Sequence, residues 1–365
     1  MKDGRLRKLL DAILVPLLAI LSGLVVMGIL ILFLRKPLFE SYATLFSNGF
    51  GCREYGNCIF ITALERATPI ILTGLSAVVA FRSGMFSIGQ EGKYLLGAAA
   101  AAWLGYALHL PPILHALVII IAAMLVGAGY GWIPGILKVK LGVNELLATI
   151  MLNSIAALVV EYLVQFPMRA DTSAVAHSPV IDESAQLMSF FPGSKWGMGF
   201  VIAVIAVIIV YYYLWHTNAG YEQRMAGQSR KFALFGGISS DNSAVRAMLI
   251  SGALAGLAGA VEVMGVHRRI MTGFSVGLGF DGLTSAILGQ IHPIGVFIVA
   301  ILFSGLKLGA QIGLQLRLDI PRELGGTIIG FIVLFVAAGK LYEEIIVRVR
   351  NWSTRRGSNL KGESG

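Results

Sequence analysis

Charge is what this sequence has least of. Asp, Glu, Lys and Arg make up 13% of its 365 residues, against roughly a quarter in a soluble globular chain. Cysteine is also scarce. Cys52 and Cys58 share one polar segment, compatible with a disulfide or with two free thiols, and their spacing is no metal motif. The six histidines include no His-x-x-x-His or Glu-x-x-His pair, so no helical metal site is written into the chain. No phosphate-binding Gly-x-x-x-x-Gly-Lys-Ser/Thr loop occurs, since Gly92-Lys93 is followed by Tyr94 and Gly339-Lys340 by Leu341. No series of ten-residue segments alternates with the period of a barrel strand. These absences argue against a soluble fold, a metal enzyme, an ATPase and a barrel. They leave a chain expected to have no enzymatic activity, metal or cofactor of its own.

What is present is apolar length. Residues 12–34 and 282–306 hold no Asp, Glu, Lys or Arg, and each exceeds the roughly 18 residues that a bilayer crossing needs. The net charge of +9 does not point to nucleic acid. The basic residues gather at the ends of apolar runs, as the positive-inside rule requires of a membrane protein. The fold class expected is all-α and polytopic, with about ten crossings and both termini cytoplasmic. One transmembrane domain then covers residues 1–340 and a basic cytoplasmic tail 341–365. Crossings are expected near 12–34, 67–81, 94–108, 113–137, 144–165, 196–215, 247–266, twice within 274–308, and at 323–339. Residues 35–57 and 166–195 read as external loops, and 216–246 as a cytoplasmic segment.

Glycines spaced by four, in Gly252-x-x-x-Gly256, Gly305-x-x-x-Gly309-x-x-x-Gly313 and Gly326-x-x-x-Gly330, give helix faces on which backbones approach closely. Packing within the subunit or at a dimer seam is their expected role.

Polar groups beside such apolar runs are costly and mark function. The densest set, Ser87, Gln90, Glu91 and Lys93, lies in 81–97 among four glycines; Asn153, Asp281 and their neighbours add to it. Gly89-Gln90-Glu91-Gly92 and Gly279-Phe280-Asp281-Gly282 both read Gly-x-acid-Gly. The first should open an outward-running helix and the second an inward-running one, as inverted repeats with broken helices would. The expected substrate path therefore holds Ser87, Gln90, Glu91, Asn153, Phe280 and Asp281. Lys93 either pairs with Glu91 or marks a difference in substrate. In the cytoplasmic segment, Phe232, Phe235 and Ile238 recur at i, i+3 and i+6, flanked by Arg230 and Lys231. Such a short amphipathic helix can lie on a membrane or dock in a protein groove.

The stretch from Gly84 through Met85-Phe86-Ser87-Ile88-Gly89-Gln90-Glu91 to Gly92 resembles the Gly-x-Phe-Asn-Ile-Gly-x-Glu-Gly-Gln signature of ABC-transporter permeases for nucleosides and simple sugars. These belong to the broader ribose and branched-chain amino acid permease group. Ser87 replaces the usual Asn, and Lys93 the usual Gln. Residues 142–153 and 279–295 resemble two further blocks of that group. The segment from Arg224 through Gly227, Arg230, Lys231, Phe232, Phe235, Gly236 and Gly237 to Ile238 is similar to its coupling helix, with Ser229-Arg230 in place of Asn-Pro and Phe232 in place of Ala.

The resemblance implies import by alternating access in a prokaryotic cell membrane. Its implied partners are an ATPase subunit with two nucleotide-binding domains, a second and different permease, an extracytoplasmic substrate-binding protein or lipoprotein, and membrane lipid. The ATP would be used by the partner. The rival classes are an ion-coupled secondary transporter, with Glu91 and Asp281 as coupling carboxylates, and a membrane subunit with no pathway of its own.

Overall fold

The computed structural model describes residues 35–313 apart from 54–56, 171–174, 192–193 and 275–276, with a few further residues at 22–33 and at 314, 330 and 331. The first and last expected crossings and the tail 341–365 lie largely or wholly outside the described residues. The chain divides into two units, Phe50–Gly305 and the flanking segments Met1–Gly49 with Leu306–Gly365.

Helices dominate. In order they are α1 Leu38–Phe50, α2 Ile59–Arg82, α3 Gln90–Ala107, α4 Pro112–Leu141, α5 Glu145–Gln165, α6 Met198–His216, α7 Asn218–Gln228, α8 Arg230–Phe235, α9 Ser240–Glu262, α10 Leu278–Leu288 and α11 Pro293–Leu308. Single π-helical turns extend α9 through Val263–His267 and α11 through Gly309–Leu314. The one strand pair among the described residues is β1 Cys52–Arg53 against β2 Asn57–Cys58, closed by a disulfide between Cys52 and Cys58.

Local chemistry explains the boundaries. Pro112 occupies the first turn of α4, where its missing N–H costs nothing. Gly142 ends that helix in a left-handed conformation with φ 66°. Asn144 caps α5 through its side chain, which accepts from the Leu146 amide at 2.9 Å.

Among the described residues, six helices, α2, α4, α5, α6, extended α9 and extended α11, are long and apolar enough to cross a membrane. Extended α9 lies at the centre, largely buried along its length. Its Gly252 faces the Gly127 carbonyl of α4, Gly256 faces Ala123, and Gly259 faces the Tyr94 carbonyl of α3. The Gly252/Gly256 face therefore packs inside the subunit. Gly309 and Gly313 lie against Leu45, Thr44 and Asn48 of α1; Gly326 is outside the described residues.

Two expectations are corrected. The segment 35–57 contains the thirteen-residue helix α1 rather than a plain loop, because Ser41, Thr44, Leu45 and Gly49 form one buried stripe at helical spacing. The crossing expected at the start of 274–308 is not a continuous helix. After the turn at Arg268 (φ 58°), Ile270 pairs with Ser178. Gly277 (φ 84°) then opens α10 beside Thr73, halfway along α2, where Thr73 Oγ1 donates to the Leu278 carbonyl at 3.2 Å. Eleven residues give about 16 Å of helix, half a bilayer core. The expected loop 166–195 is tied across the helix ends by Ile181 to Arg268, Asp182 to Gly105 and Leu187 to Met264.

Candidate functional site

The two Gly-x-acid-Gly motifs meet. Gly279 comes so close to α3 that an added Cβ would strike the Glu91 backbone. The Glu91 carboxylate accepts the Gly279 amide at 2.7 Å. An acid thereby caps the buried N-terminus of a half-helix, satisfying an orphan amide and opposing the helix dipole. Gly282, at the far end of the second motif, lets α10 lie directly on Thr73 and Gly74 of α2.

Around this junction the sequence-predicted residues fall into two groups. Ser87, Gln90, Glu91 and Asn153 are all buried. Asn153 joins α5 to the start of α3 at both ends of its amide: Nδ2 donates to the Ile88 carbonyl at 2.9 Å, and Oδ1 accepts the Gly92 amide at 2.9 Å. Gln90 Nε2 donates to the Ser87 carbonyl at 3.0 Å, while its Oε1 has no partner among the described residues. Phe280 and Asp281 belong to the second group, on the first turn of α10. Phe280 is exposed and Asp281 half-buried, so they are not part of the buried cluster.

Lys93 does not pair with Glu91. Its Nζ donates to Ser251 Oγ at 3.1 Å and approaches Ser87 Oγ at 3.5 Å. Ser251 in turn shares a 2.9 Å hydrogen bond with Ser76 of α2. Among the described residues no carboxylate forms an ion pair with it. Sequence reading missed Ser76, Ser251 and Thr73, since small hydroxyl residues on a glycine-rich face look like packing. A buried ammonium without a counter-charge is costly, whereas an amide can keep both serine contacts. Lys93→Gln is therefore expected to stabilise the protein by about 1–2 kcal/mol, read as a higher unfolding temperature in detergent. A lower one would show that the charge itself is needed.

The second site lies at the Arg82 end. Thr217 caps α7 through Gly220, and Ser229 caps α8, accepting from the Phe232 amide at 3.3 Å. The α7–α8 segment is pinned to α2 by Gln223, whose Nε2 donates to the Val79 carbonyl at 2.6 Å, and by Gly227, which abuts Gly84 and the Arg82 carbonyl. Arg224 lies over the Trp215 ring of α6. Arg230 is paired with Asp241 at 2.6 Å and Lys231 is exposed.

The face expected from Phe232, Phe235 and Ile238 is corrected. Gly236 and Gly237 (φ 72°) end the helix at Phe235, and the Ile238 amide folds back to the Ala233 carbonyl. The presented apolar surface is instead Phe232, Leu234 and Phe235, exposed by 65%, 75% and 91%. Leu234 was missed because a six-residue helix offers nearly its whole circumference.

Close to this segment, burial and then the charge of Arg82 push the His292 imidazole below its ordinary value. Gly273, Ser275 and Gly277 have the spacing of a nucleophile elbow. They follow a π-helical turn instead of the strand an elbow requires, and Ser275 lies outside the described residues.

A helical bundle with a broken crossing, a polar junction where two helix starts meet, and an exposed amphipathic helix at one end define a class: a multi-pass membrane transport protein. The family model for the permease component of branched-chain amino acid transport systems matches residues 59–337. The chain belongs to that family, whose members are transport proteins and not enzymes. It is 35% identical to the guanosine ABC transporter permease protein of Bacillus subtilis, over 91% of this chain and 94% of that protein. It is 31% identical to a nucleoside ABC transporter permease protein of Lactococcus lactis, over 96% and 98%. With a glucose ABC transporter permease protein of Haloferax volcanii it shares 27% identity, over 96% and 93%. No solved structure matches the chain.

Proposed function

We propose that this permease imports nucleosides across a prokaryotic cell membrane by alternating access, driven by ATP hydrolysis in a separate subunit. The observation that carries the reading is the pairing of an internal polar junction at Glu91–Gly279 with an exposed apolar helix at Phe232–Phe235. A secondary transporter would use the first alone, whereas docking to a separate ATPase subunit calls for the second as well. The names of the two most similar relatives cited above favour nucleosides over sugars.

In this reading the Arg82 end faces the cytoplasm. Lys138 and Arg230 line one cavity there with Ser83 and Gly84, Arg224 lies over Trp215 and Arg246 is paired with Glu222 of α7, in keeping with the positive-inside rule. Ten crossings with both termini inside follow, and α3 and α10 open the two halves of an inverted repeat. Ser87, Gln90, Glu91, Asn153, Phe280 and Asp281 border the path. The partners are a double ATPase subunit, a second permease that completes the path, and an external binding protein that delivers substrate.

Residues Arg224–Ile238 dock in a groove of the ATPase, with Phe232, Leu234 and Phe235 as anchors. Phe235→Asp puts a charge where an anchor is buried, and Gly236→Pro alters the turn that ends α8. Each is expected to lower uptake of labelled nucleoside by about ten-fold or more, with the permease still inserted and the ATPase still active. Uptake at the normal rate in both variants would disprove docking. Uptake that persists without the ATPase and collapses with the proton gradient would disprove the importer reading altogether.

A further inference from the structure

At the Arg82 end, four elements converge on one indole. Trp215 closes α6. The Arg82 guanidinium, from the end of α2, lies 5.2 Å from its ring centroid, and that of Arg224, from α7, lies 5.7 Å away. The His292 ring, which begins the return into α11, is 4.7 Å from it. Arg224 Nε is buried with no hydrogen-bond partner among the described residues, so the ring is the contact that positions this side chain.

Arg82 also holds the turn after α10, donating from Nε to the Ile291 carbonyl at 2.9 Å. That turn is strained. Gln290 and Ile291 are consecutive non-glycine residues at φ 55° and 53°, a conformation that a β-branched residue keeps only when its surroundings enforce it. Strained turns of this kind collect at switch regions.

We propose that Trp215, with Arg82 and Arg224, is the relay that carries movement of the coupling segment to the half-helix α10. The proposal rests on the docking of α7–α8 described above. Movement of α7 shifts Arg224 on the indole, the indole shifts Arg82, and Arg82 releases or grips the Ile291 turn. Because α10 is a rigid rod between that turn and the Glu91–Gly279 contact, a change at one end arrives at the other. These are positioning residues, and none of them needs to touch substrate.

The test uses the full transporter, with its ATPase, second permease and binding protein, in proteoliposomes, measuring nucleoside moved per ATP hydrolysed. Trp215→Leu is expected to lower that ratio by about ten-fold while ATP hydrolysis stays within about two-fold. Trp215→Phe, which restores an aromatic face, should recover most of it. A wild-type ratio in Trp215→Leu, with Phe235→Asp uncoupled in the same assay, would overturn the relay and leave docking intact. A wild-type ratio in Phe235→Asp would instead overturn docking.

Should Trp215→Leu fail to assemble, a variant with Trp215 as its only tryptophan gives a second readout. Its emission is expected to shift when vanadate traps the ATPase in its closed state, because the two guanidiniums move on the ring. Unchanged emission would overturn the relay.

Discussion

Gly252→Val is expected to leave little folded permease in the membrane. Gly252 sits where α9 crosses α4, and a Cβ built there collides with the Gly127 carbonyl and lies 2.8 Å from the Ala128 Cα. Both obstacles are backbone, so no side chain can swing aside to make room. Overpacking a well-packed core ordinarily costs about 1–3 kcal/mol. Here the cost is multiplied by position, because the same face of α9 also carries Gly256 against Ala123 and Gly97, and Gly259 against Tyr94. Prying α9 off α4 thus also loosens α3. Gly129→Ala is the internal control. It lies on α4 two residues from Gly127, and nothing stands within 4 Å of its missing Cβ. That change should be neutral, or stabilising by up to about 1 kcal/mol through helix propensity. Gel filtration of detergent-solubilised protein, with a fluorescent fusion to report yield, compares the two. A symmetric peak of normal height for Gly252→Val would mean that α9 and α4 are not held by this contact.

That interface was legible in advance, since four-residue glycine spacing has one dominant physical use between apolar helices. The helices themselves were equally legible, from charge-free length and from the prolines and glycines that end them. Helix α1 was not. Its buried stripe is made of Ser41, Thr44, Leu45 and Gly49, and hydropathy alone gives serine, threonine and glycine no weight as a packing face.

The break at Gly277 was half legible. The acid–glycine motif at 279–282 announced a polar helix start, yet the apolar length after it imitates an ordinary crossing. Only the tertiary contact with Thr73 shows that α10 begins midway along α2. Glu91 and Asn153 stood out because polar groups in apolar chains are rare. What the sequence could not tell is their direction. Each turns toward backbone amides and carbonyls of its own subunit. The polar residues most conspicuous in the sequence prove to be the ones that hold broken backbone together.

Glu91→Ala is therefore expected to abolish most transport through loss of a helix cap. Removing the carboxylate leaves the Gly279 amide, buried at the start of α10, without its acceptor. An unsatisfied buried amide costs about 1–3 kcal/mol, and losing a negative charge from a helix N-terminus costs up to about 2 kcal/mol more in a buried setting. The start of α3 keeps its other ties, through Asn153 to Gly92 and Ile88, so the bundle should still assemble. The half-helix is what loses its register. Uptake of labelled nucleoside should fall by about ten-fold or more, while the gel-filtration peak is retained. Glu91→Gln separates cap from charge, because the amide oxygen can still accept from Gly279 but no longer opposes the dipole. It should fall between wild type and Glu91→Ala. If Glu91→Gln were as inactive as Glu91→Ala, the charge would be acting on something beyond α10, as a coupling carboxylate does. If Glu91→Ala transported normally, the contact between the two motifs would be incidental to the path.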